Sequence, residues 1–151
     1  MGRVTAVLLC AMLSLSALGA AGDDAVRAYA DSMAQAVVAN RGAVLLENFA
    51  PIMRSTYSDE DLLSPLNKIQ SEFGAISKHE FRIGTAGKRI VGIHAIRTAI
   101  FTYALVTTKF PEGSFMKVEV TYADGRYSLA GYSVVRFVGN EIPPELRSPS
   151  R

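Results

Sequence analysis

The apolar residues of the N-terminal half recur every three or four positions, the spacing that places them on one face of a helix. This spacing predicts three helices, at residues 23–40, 44–53 and 58–73. In the first helix the polar residues Arg27, Asp31 and Gln35 mark the side opposite the apolar stripe. Ser58 precedes three acidic residues, the composition of an N-cap and first turn, so we expect the third helix to begin there. Pro65 either lies inside that helix or restarts it.

After Gly74 the apolar period falls to two, which is typical of strands with one buried face. The alternation predicts strands at residues 77–84, 99–110, 115–122 and 127–138, with a short extra one at 90–93. Residues 84–89, which contain two glycines and two bases, are predicted to form a turn between strands. The order of elements predicts an α+β domain, with N-terminal helices packed on one face of a curved antiparallel sheet of about four strands.

Two predicted turns set the register of the sheet. Asp124-Gly125 is a strong signal for a two-residue hairpin, and residues 111–114 are taken as a four-residue loop. The expected partners are Tyr122 and Tyr127, Val120 and Leu129, Phe110 and Phe115, Leu105 and Val120, and Tyr103 and Tyr122. One sheet face would then carry Phe101, Tyr103, Leu105, Met116, Val118, Val120, Tyr122, Tyr127 and Leu129. The other, polar face would carry Thr102, Thr108, Lys117, Glu119, Thr121 and Ser128. No Asp or Glu belongs to the inward set of strand residues.

Short motifs in the second half resemble those of a known superfamily. They are Phe73-Gly-Ala-Ile76, the strand around Tyr103, Glu119-Val-Thr-Tyr122, Asp124-Gly-Arg-Tyr127 and Gly131-Tyr-Ser-Val134. Over residues 23–138 the chain resembles a group of uncharacterised secreted bacterial domains of the cone-shaped nuclear transport factor 2-like or cystatin-like superfamily. The resemblance implies a cone-like fold and export, and it brings no activity with it.

The first 22 residues contain one charge, Arg3, followed by an apolar run and four small residues. This pattern predicts a signal peptide at residues 1–22, cleaved between Gly19 and Asp23. A retained N-terminal anchor is the alternative. We expect one domain at residues 23–139, a flexible tail at 140–151 with three prolines, and no transmembrane segment in the mature chain. The mature protein would be periplasmic or secreted.

Composition excludes several kinds of chemistry. The 16 basic and 14 acidic side chains nearly balance, which does not favour nucleic-acid binding. Cys10, the single cysteine, lies in the predicted signal peptide, so disulfides and thiol nucleophiles are not expected in the mature chain. The two histidines, His79 and His94, have no acidic residue at ligand spacing, and we predict no metal and no cofactor. Four bases near the first sheet turns form either a solvated turn or a contact for an acidic partner or an anionic envelope surface. They are Arg82, Lys88, Arg89 and Arg97.

The predicted space between the sheet and the helices is the candidate ligand-binding site. Its lining is expected to include His79, Phe101, Tyr103, Tyr122 and Tyr127, with no catalytic residue assigned. An isomerase of the ketosteroid type would need a carboxylate base and an oxyanion donor facing each other there. The sequence therefore favours an exported non-enzymatic module that binds a protein or a small apolar ligand. The alternatives are a small isomerase with a Tyr- and His-lined pocket, which would need an acid near Tyr103 or Tyr122, and a homodimer formed through the polar sheet face.

Overall fold

A computed structural model describes residues 20–139, 141–144 and 147, with side chains from Asp24 onward. Residues 1–19 of the predicted signal peptide and most of the predicted tail lie outside these residues. Within these residues four helices precede four strands, which confirms the α+β class. The elements are α1 (Ala20–Val38), α2 (Gly42–Asn48), α3 (Pro51–Thr56), α4 (Asp59–Phe73), β1 (Ile76–Val91), β2 (His94–Thr107), β3 (Ser114–Ala123) and β4 (Arg126–Arg136). The strands form one antiparallel sheet in the order β1-β2-β3-β4.

The helices cover one face of the sheet and form the main core with it. The apolar stripes predicted for α1 and α4 are buried as expected. The largest buried side chains of the sheet come from the face predicted to be apolar, including Tyr103, Leu105, Met116, Val118, Val120 and Leu129. Tyr132, on the same face, donates a hydrogen bond to the backbone oxygen of Leu62 in α4 at 3.1 Å. None of the described helices is long and apolar enough to cross a bilayer.

The sequence predicts one helix at residues 44–53 with its last turn disturbed by Pro51, and the single helix is wrong, because the structure divides it into α2 and α3. Phe49 and Ala50 between them are extended, and the N–H of Ala50 donates to the backbone oxygen of Leu129 in β4 at 2.8 Å. Pro51 occupies the first turn of α3, where its missing N–H has no helical partner to lose. The break therefore seats the chain against the edge of β4.

The β3–β4 turn is confirmed and the predicted β2–β3 register is wrong. Tyr122 pairs with Tyr127 across Asp124 and Gly125, both of which have the positive φ that a tight hairpin turn of this kind requires. In contrast, Tyr103 pairs with Met116, not Tyr122. The other changed partners are Leu105 with Ser114 and Ala99 with Val120. Because the displacement is an even number of residues, each side chain stays on the predicted face.

The register differs because β2 ends earlier than the alternation suggests. The Thr107 hydroxyl accepts a hydrogen bond from the N–H of Phe110 at 3.0 Å, which turns the chain away from β3. The N–H groups of Thr108 and Lys109 then donate to the backbone oxygens of Ala75 and Phe73, just before β1. Phe110 also packs edge-on against the Phe73 ring. The connection is thus held by the end of α4, and no four-residue loop forms at 111–114.

The turn predicted at residues 84–89 is also wrong, because these residues lie within β1. The chain reverses later, at Gly92 and Ile93, and residues 90–93 are not a separate strand. Gly87 is explained by close packing: a Cβ there would lie 2.6 Å from Cδ1 of Ile100 and 3.0 Å from the Thr98 hydroxyl. The glycine therefore permits close approach of the neighbouring side chains within the sheet.

The distal half of the β1–β2 hairpin, residues 85–98, bends across the sheet; we call it the hairpin arm. In a flat sheet Arg89 would lie roughly 20 Å from Gly131 of β4. Its guanidinium instead packs on Gly131, where a Cβ would lie 2.6 Å from Nη1. The arm and the bend bury much of the sheet face that was predicted to be polar and open, including Thr102, Thr121 and Ser128. The predicted homodimer through that face stays a prediction.

Few contacts of the predicted tail fall within the described residues. Ile142 lies close to Gly113, and the backbone oxygen of Arg147 accepts a hydrogen bond from the Arg82 guanidinium at 2.7 Å. These contacts place parts of the tail along the sheet. Its predicted flexibility stays a prediction.

Candidate functional site

The structure separates the five residues predicted to line one site. His79, Phe101 and Tyr103 lie together near α1, with ring centroids of His79 and Tyr103 6.0 Å apart. Tyr122 and Tyr127 lie at the β3–β4 turn, with ring centroids 5.0 Å apart. Because Tyr103 pairs with Met116, it lies roughly 20 Å along the strand direction from Tyr122. The five residues predicted to line a single pocket therefore form two separate groups.

The first group is organised around a hydrogen bond between the sheet and α1. The Tyr103 hydroxyl donates to Oδ1 of Asp31 at 2.7 Å, and Tyr103 is 1% exposed. Burial and then this hydrogen bond raise the pKa of Tyr103. Arg27, one turn earlier, lies 3.7 Å from the Asp31 carboxylate and stacks its guanidinium over the Phe81 ring. The sequence placed Asp31 on the side away from the core, which is wrong: it lies at the border of the apolar stripe.

His79 gives this group a third polar side chain. It is half-buried beside Tyr103, and burial lowers its pKa while the negative charge of Asp31 opposes that shift. A carboxylate, a phenol and an imidazole thus lie close together, although no carboxylate was predicted near Tyr103. Since the Tyr103 hydroxyl is already bound by Asp31, the arrangement as it stands connects α1 to the sheet.

The second group holds α1 to α2 and β4. The ring of Tyr29 packs on Tyr127 with centroids 5.9 Å apart, and its hydroxyl donates to the side-chain oxygen of Asn48 at 3.1 Å. Burial raises the pKa of Tyr29 to about 12. Tyr122, in contrast, is 59% exposed. This group is therefore a packed junction at its centre and open to solvent at Tyr122.

A cleft that the sequence did not reveal opens between α3, α4 and the sheet. It has a volume of about 180 Å³, below the roughly 300 Å³ at which small-molecule sites begin. Its lining consists of Phe49, Met53, Tyr57, Asp61, Leu62, Pro65, Arg89, Gly131 and Tyr132. Arg89 is held there by a 2.9 Å ion pair with Glu119, and Ser58 hydrogen bonds keep the pKa of the exposed Asp61 carboxyl below its usual range. The cleft depends on the α2–α3 break and the bend of the arm, which sequence periodicity does not show.

The outer face of the hairpin arm is the most unusual exposed surface of the described chain. Ile90 is 74% exposed, and Ile93, at the turn, is 95% exposed. Lys88 and Arg97 are direct cross-strand partners behind these isoleucines and point to the same face. Within the described residues, neither side chain makes an ion pair or a hydrogen bond. The sequence contains no acidic residue between Glu80 and Glu112.

The opposite face of the arm is anchored to the body of the protein. Val91 is fully buried in the core, Thr98 is buried, and Arg89 makes the ion pair with Glu119. The Thr121 hydroxyl of β3 donates to the backbone oxygen of Arg97 at 2.9 Å. Because these contacts hold one face of the arm against the body, the two isoleucines are presented by an anchored ribbon.

The four bases that the sequence singled out have different surroundings. Lys88 and Arg97 share the outer face of the arm, whereas Arg89 lies on its inner face with Glu119. Arg82 pairs with Glu80 at 3.2 Å and contacts the tail. Among the described residues there is no group of three His, Cys, Asp or Glu side chains that could hold a metal ion.

None of the protein-family models, curated proteins and solved structures with which the chain was compared matches it. The relation to the cone-shaped superfamily therefore stays a prediction, and the confirmed level is the α+β arrangement of helices on a four-stranded sheet.

Proposed function

We propose that this chain is an exported, non-enzymatic binding module whose contact element is the outer face of the hairpin arm. The observation that carries the proposal is the exposure of Ile90 and Ile93 on a ribbon whose other face is anchored. Adjacent large apolar side chains left in water at a fixed position are typical of an interaction surface. Covering each of them would contribute up to about 1.5–3 kcal/mol.

The charges behind the isoleucines define the partner further. Lys88 and Arg97 lie directly opposite each other, and like charges in that position are unfavourable. A partner that carries negative charge would relieve this repulsion while its apolar part covers the isoleucines. The proposed partner therefore presents an apolar and acidic surface.

Anchoring of the arm supports binding in a second way. Ordering a loop at an interface costs roughly 0.5–1.5 kcal/mol for each immobilised flexible side chain, so a preformed ribbon loses less on binding. The ion pair of Arg89 with Glu119 and the buried Val91 provide that preformed state. Substitution of Glu119 should consequently weaken binding, even though the Glu119 side chain and the Ile90 side chain lie on opposite faces of the sheet.

Site-specific photo-cross-linking in the cells that make the protein tests the proposal. A photoreactive residue is placed at Ile93, and in a matched control at Val138, which is 91% exposed outside the arm. We expect an adduct at position 93 that weakens when Lys88 and Arg97 are both replaced by Gln, and none at position 138. Equal labelling at the two positions would refute the arm as the contact element.

A second candidate function, an isomerase-like enzyme, is favoured by the 2.7 Å contact between Tyr103 and Asp31 beside His79. There Asp31 would act as the general base, and Tyr103 would act as the hydrogen-bond donor once its hydroxyl turns from Asp31 to the substrate oxygen. It predicts turnover of a β,γ-unsaturated ketone that Asp31→Asn abolishes while the circular dichroism spectrum is retained. Absence of turnover by the unaltered protein would remove this candidate.

A further inference from the structure

We infer that the surface bound by the hairpin arm is a lipid bilayer that contains anionic lipids. The inference rests on the proposed function, because it names the partner of the same element. Three features of the arm favour a bilayer: the order of its side chains, the exposure of its tip and the distribution of charge around it.

The order of side chains matches the layers of a bilayer surface. Ile93 lies at the turn, Ile90 follows it, and Lys88 and Arg97 come next toward the body of the protein. At about 3.3 Å per residue, the two bases lie roughly 13 Å behind the turn. Apolar side chains of interfacial segments enter the headgroup and acyl boundary by about 5–10 Å. Insertion of the two isoleucines to that depth would place both cations at the level of the lipid phosphates.

The shape of the tip favours a bilayer over a protein. Ile93 is 95% exposed at a two-residue turn, so a protein partner would need a pocket that receives this projecting side chain. A bilayer accepts a projecting apolar side chain without a preformed pocket. The neighbouring outer-face residues Ala86 and Ala95 are small and exposed, so they do not obstruct approach of the headgroups.

The charge around the arm favours anionic lipids. Lys88 and Arg97 can extend their apolar stems along the ribbon and place their charges at the headgroups. Lipid headgroups are mobile and can gather around two adjacent cations. The absence of acidic residues from position 81 to position 111 removes a local source of repulsion. Two bases and two isoleucines would give weak and reversible attachment, in which each base contributes about fivefold to affinity and each isoleucine roughly tenfold.

Vesicle co-sedimentation with the chain recovered from the compartment to which it is exported tests the inference. Vesicles of phosphatidylcholine alone are compared with vesicles of equimolar phosphatidylcholine and phosphatidylglycerol. We expect binding to the anionic vesicles only, with loss at high salt. Ile93→Ser should reduce binding roughly tenfold, and Lys88→Gln about fivefold. The matched controls, Val138→Ser for an exposed apolar residue and Arg54→Gln for an exposed base, should leave it unchanged.

A spectroscopic measurement locates the contact directly. The chain contains no tryptophan, so Ile93→Trp introduces a single reporter at the tip. Its emission should shift to shorter wavelength with phosphatidylglycerol vesicles and stay unchanged with phosphatidylcholine vesicles, whereas Val138→Trp should not respond to either. Equal response to both kinds of vesicle, or none to the anionic ones, would overturn the lipid inference.

The two experiments distinguish the inference from the proposal beneath it. If position 93 cross-links to a protein in cells and the chain ignores anionic vesicles, the arm remains the contact element and the lipid assignment is wrong. If there is neither an adduct at position 93 nor vesicle binding, both are wrong. A lipid adduct at position 93 together with binding to the anionic vesicles supports both.

Discussion

At the scale of single residues, the hydrogen bond from Tyr103 to Asp31 is a specific attachment of α1 to the sheet. Tyr103→Phe keeps the buried ring and removes the hydroxyl that donates to the carboxylate. Hydrogen bonds to charged groups contribute about 1.5–3 kcal/mol, and since Asp31 is half-exposed we expect a loss of about 1–2 kcal/mol in the free energy of unfolding. Urea unfolding measures it, with Tyr122→Phe as an exposed control. Equal stability of the two variants would show that the hydrogen bond contributes nothing.

Gly131 is a second residue with a specific structural role, because it leaves space for the Arg89 guanidinium where a side chain would otherwise lie. Gly131→Ala should displace Arg89 from Glu119 and lower the free energy of unfolding by about 1 kcal/mol. Urea unfolding in the wild-type and Glu119→Gln backgrounds tests the cause, because the cost should shrink when the ion pair is already absent. Gly42→Ala, at a helical position where a Cβ meets the Leu63 side chain at 3.4 Å, is the glycine control and should not destabilise. An undiminished cost in the Glu119→Gln background would contradict this explanation.

Single residues also differ in how far sequence patterns can identify them as part of a site. Lys88 and Arg97 were visible because charges stand out in any sequence, and their opposition across β1 and β2 follows once the turn is placed at Gly92. Ile93 was not identified, because an isoleucine is assigned to the core unless the fold shows otherwise. Asp31 was missed for the converse reason: a carboxylate at the edge of an apolar stripe is assigned to solvent.

At the scale of elements, α4 begins with a capping box at Ser58, the residue that the sequence predicted as the N-cap. Its hydroxyl accepts from the N–H of Asp61 at 3.1 Å, and the Asp61 carboxylate accepts from the N–H of Ser58 at 3.3 Å. Ser58→Ala should lower the free energy of unfolding by about 1 kcal/mol. It should also raise the pKa of Asp61 part of the way toward its ordinary value, because the larger cause of the lowered pKa, the hydrogen bond from the Ser58 hydroxyl, is lost while the backbone N–H of residue 58 remains. An NMR titration that finds the Asp61 pKa unchanged would contradict the role of the cap.

Pro65 lies inside α4 and allows a second test of what stabilises this helix. The structure continues α4 through it as one helix from Asp59 to Phe73, so the backbone oxygen of Asp61 lacks the usual donor. Pro65→Ala restores that donor, and we expect the free energy of unfolding to rise by about 1–2 kcal/mol after allowing for greater freedom of the unfolded chain. Thermal or urea unfolding measures the change. A destabilised variant would mean that packing of the proline ring in the cleft outweighs the helical hydrogen bond.

Elements also show where local chemistry stops determining the fold. The Ser58 cap and the Asp124-Gly125 turn depend on neighbouring residues, and both were predicted. The strand through Gly87 and the early end of β2 depend on segments distant in sequence, on Ile100 for the first and on Phe73 and Ala75 for the second. Gly87 followed by Lys88 indicates a turn when only neighbouring residues are considered. The Ile100 side chain of β2 makes Gly87 a site of close packing within the sheet.

At the scale of the whole molecule, three buried or half-buried tyrosines connect the helices to the sheet and to one another. Tyr103 binds Asp31, Tyr132 binds the backbone oxygen of Leu62, and Tyr29 binds Asn48. Burial raises the pKa of Tyr29 and of Tyr132 to about 12, and it raises that of Tyr103 as well. The folded protein therefore binds more protons than the unfolded chain once the pH exceeds the ordinary tyrosine value of about 10.

The sign of the resulting pH dependence follows from this difference in bound protons. The contribution of the three tyrosines is fully present below about pH 10 and is lost as the pH rises toward 12, at no more than about 1.4 kcal/mol per pH unit for each group. We expect urea unfolding at a series of alkaline pH values to show falling stability over this range. Tyr132→Phe should make the decline shallower, although it also lowers stability at neutral pH because the Leu62 oxygen loses its donor. Tyr122→Phe, which removes an exposed hydroxyl, should leave the slope as it was. A decline of the same steepness in all three proteins would mean that these tyrosines are not the groups that couple folding to alkaline pH.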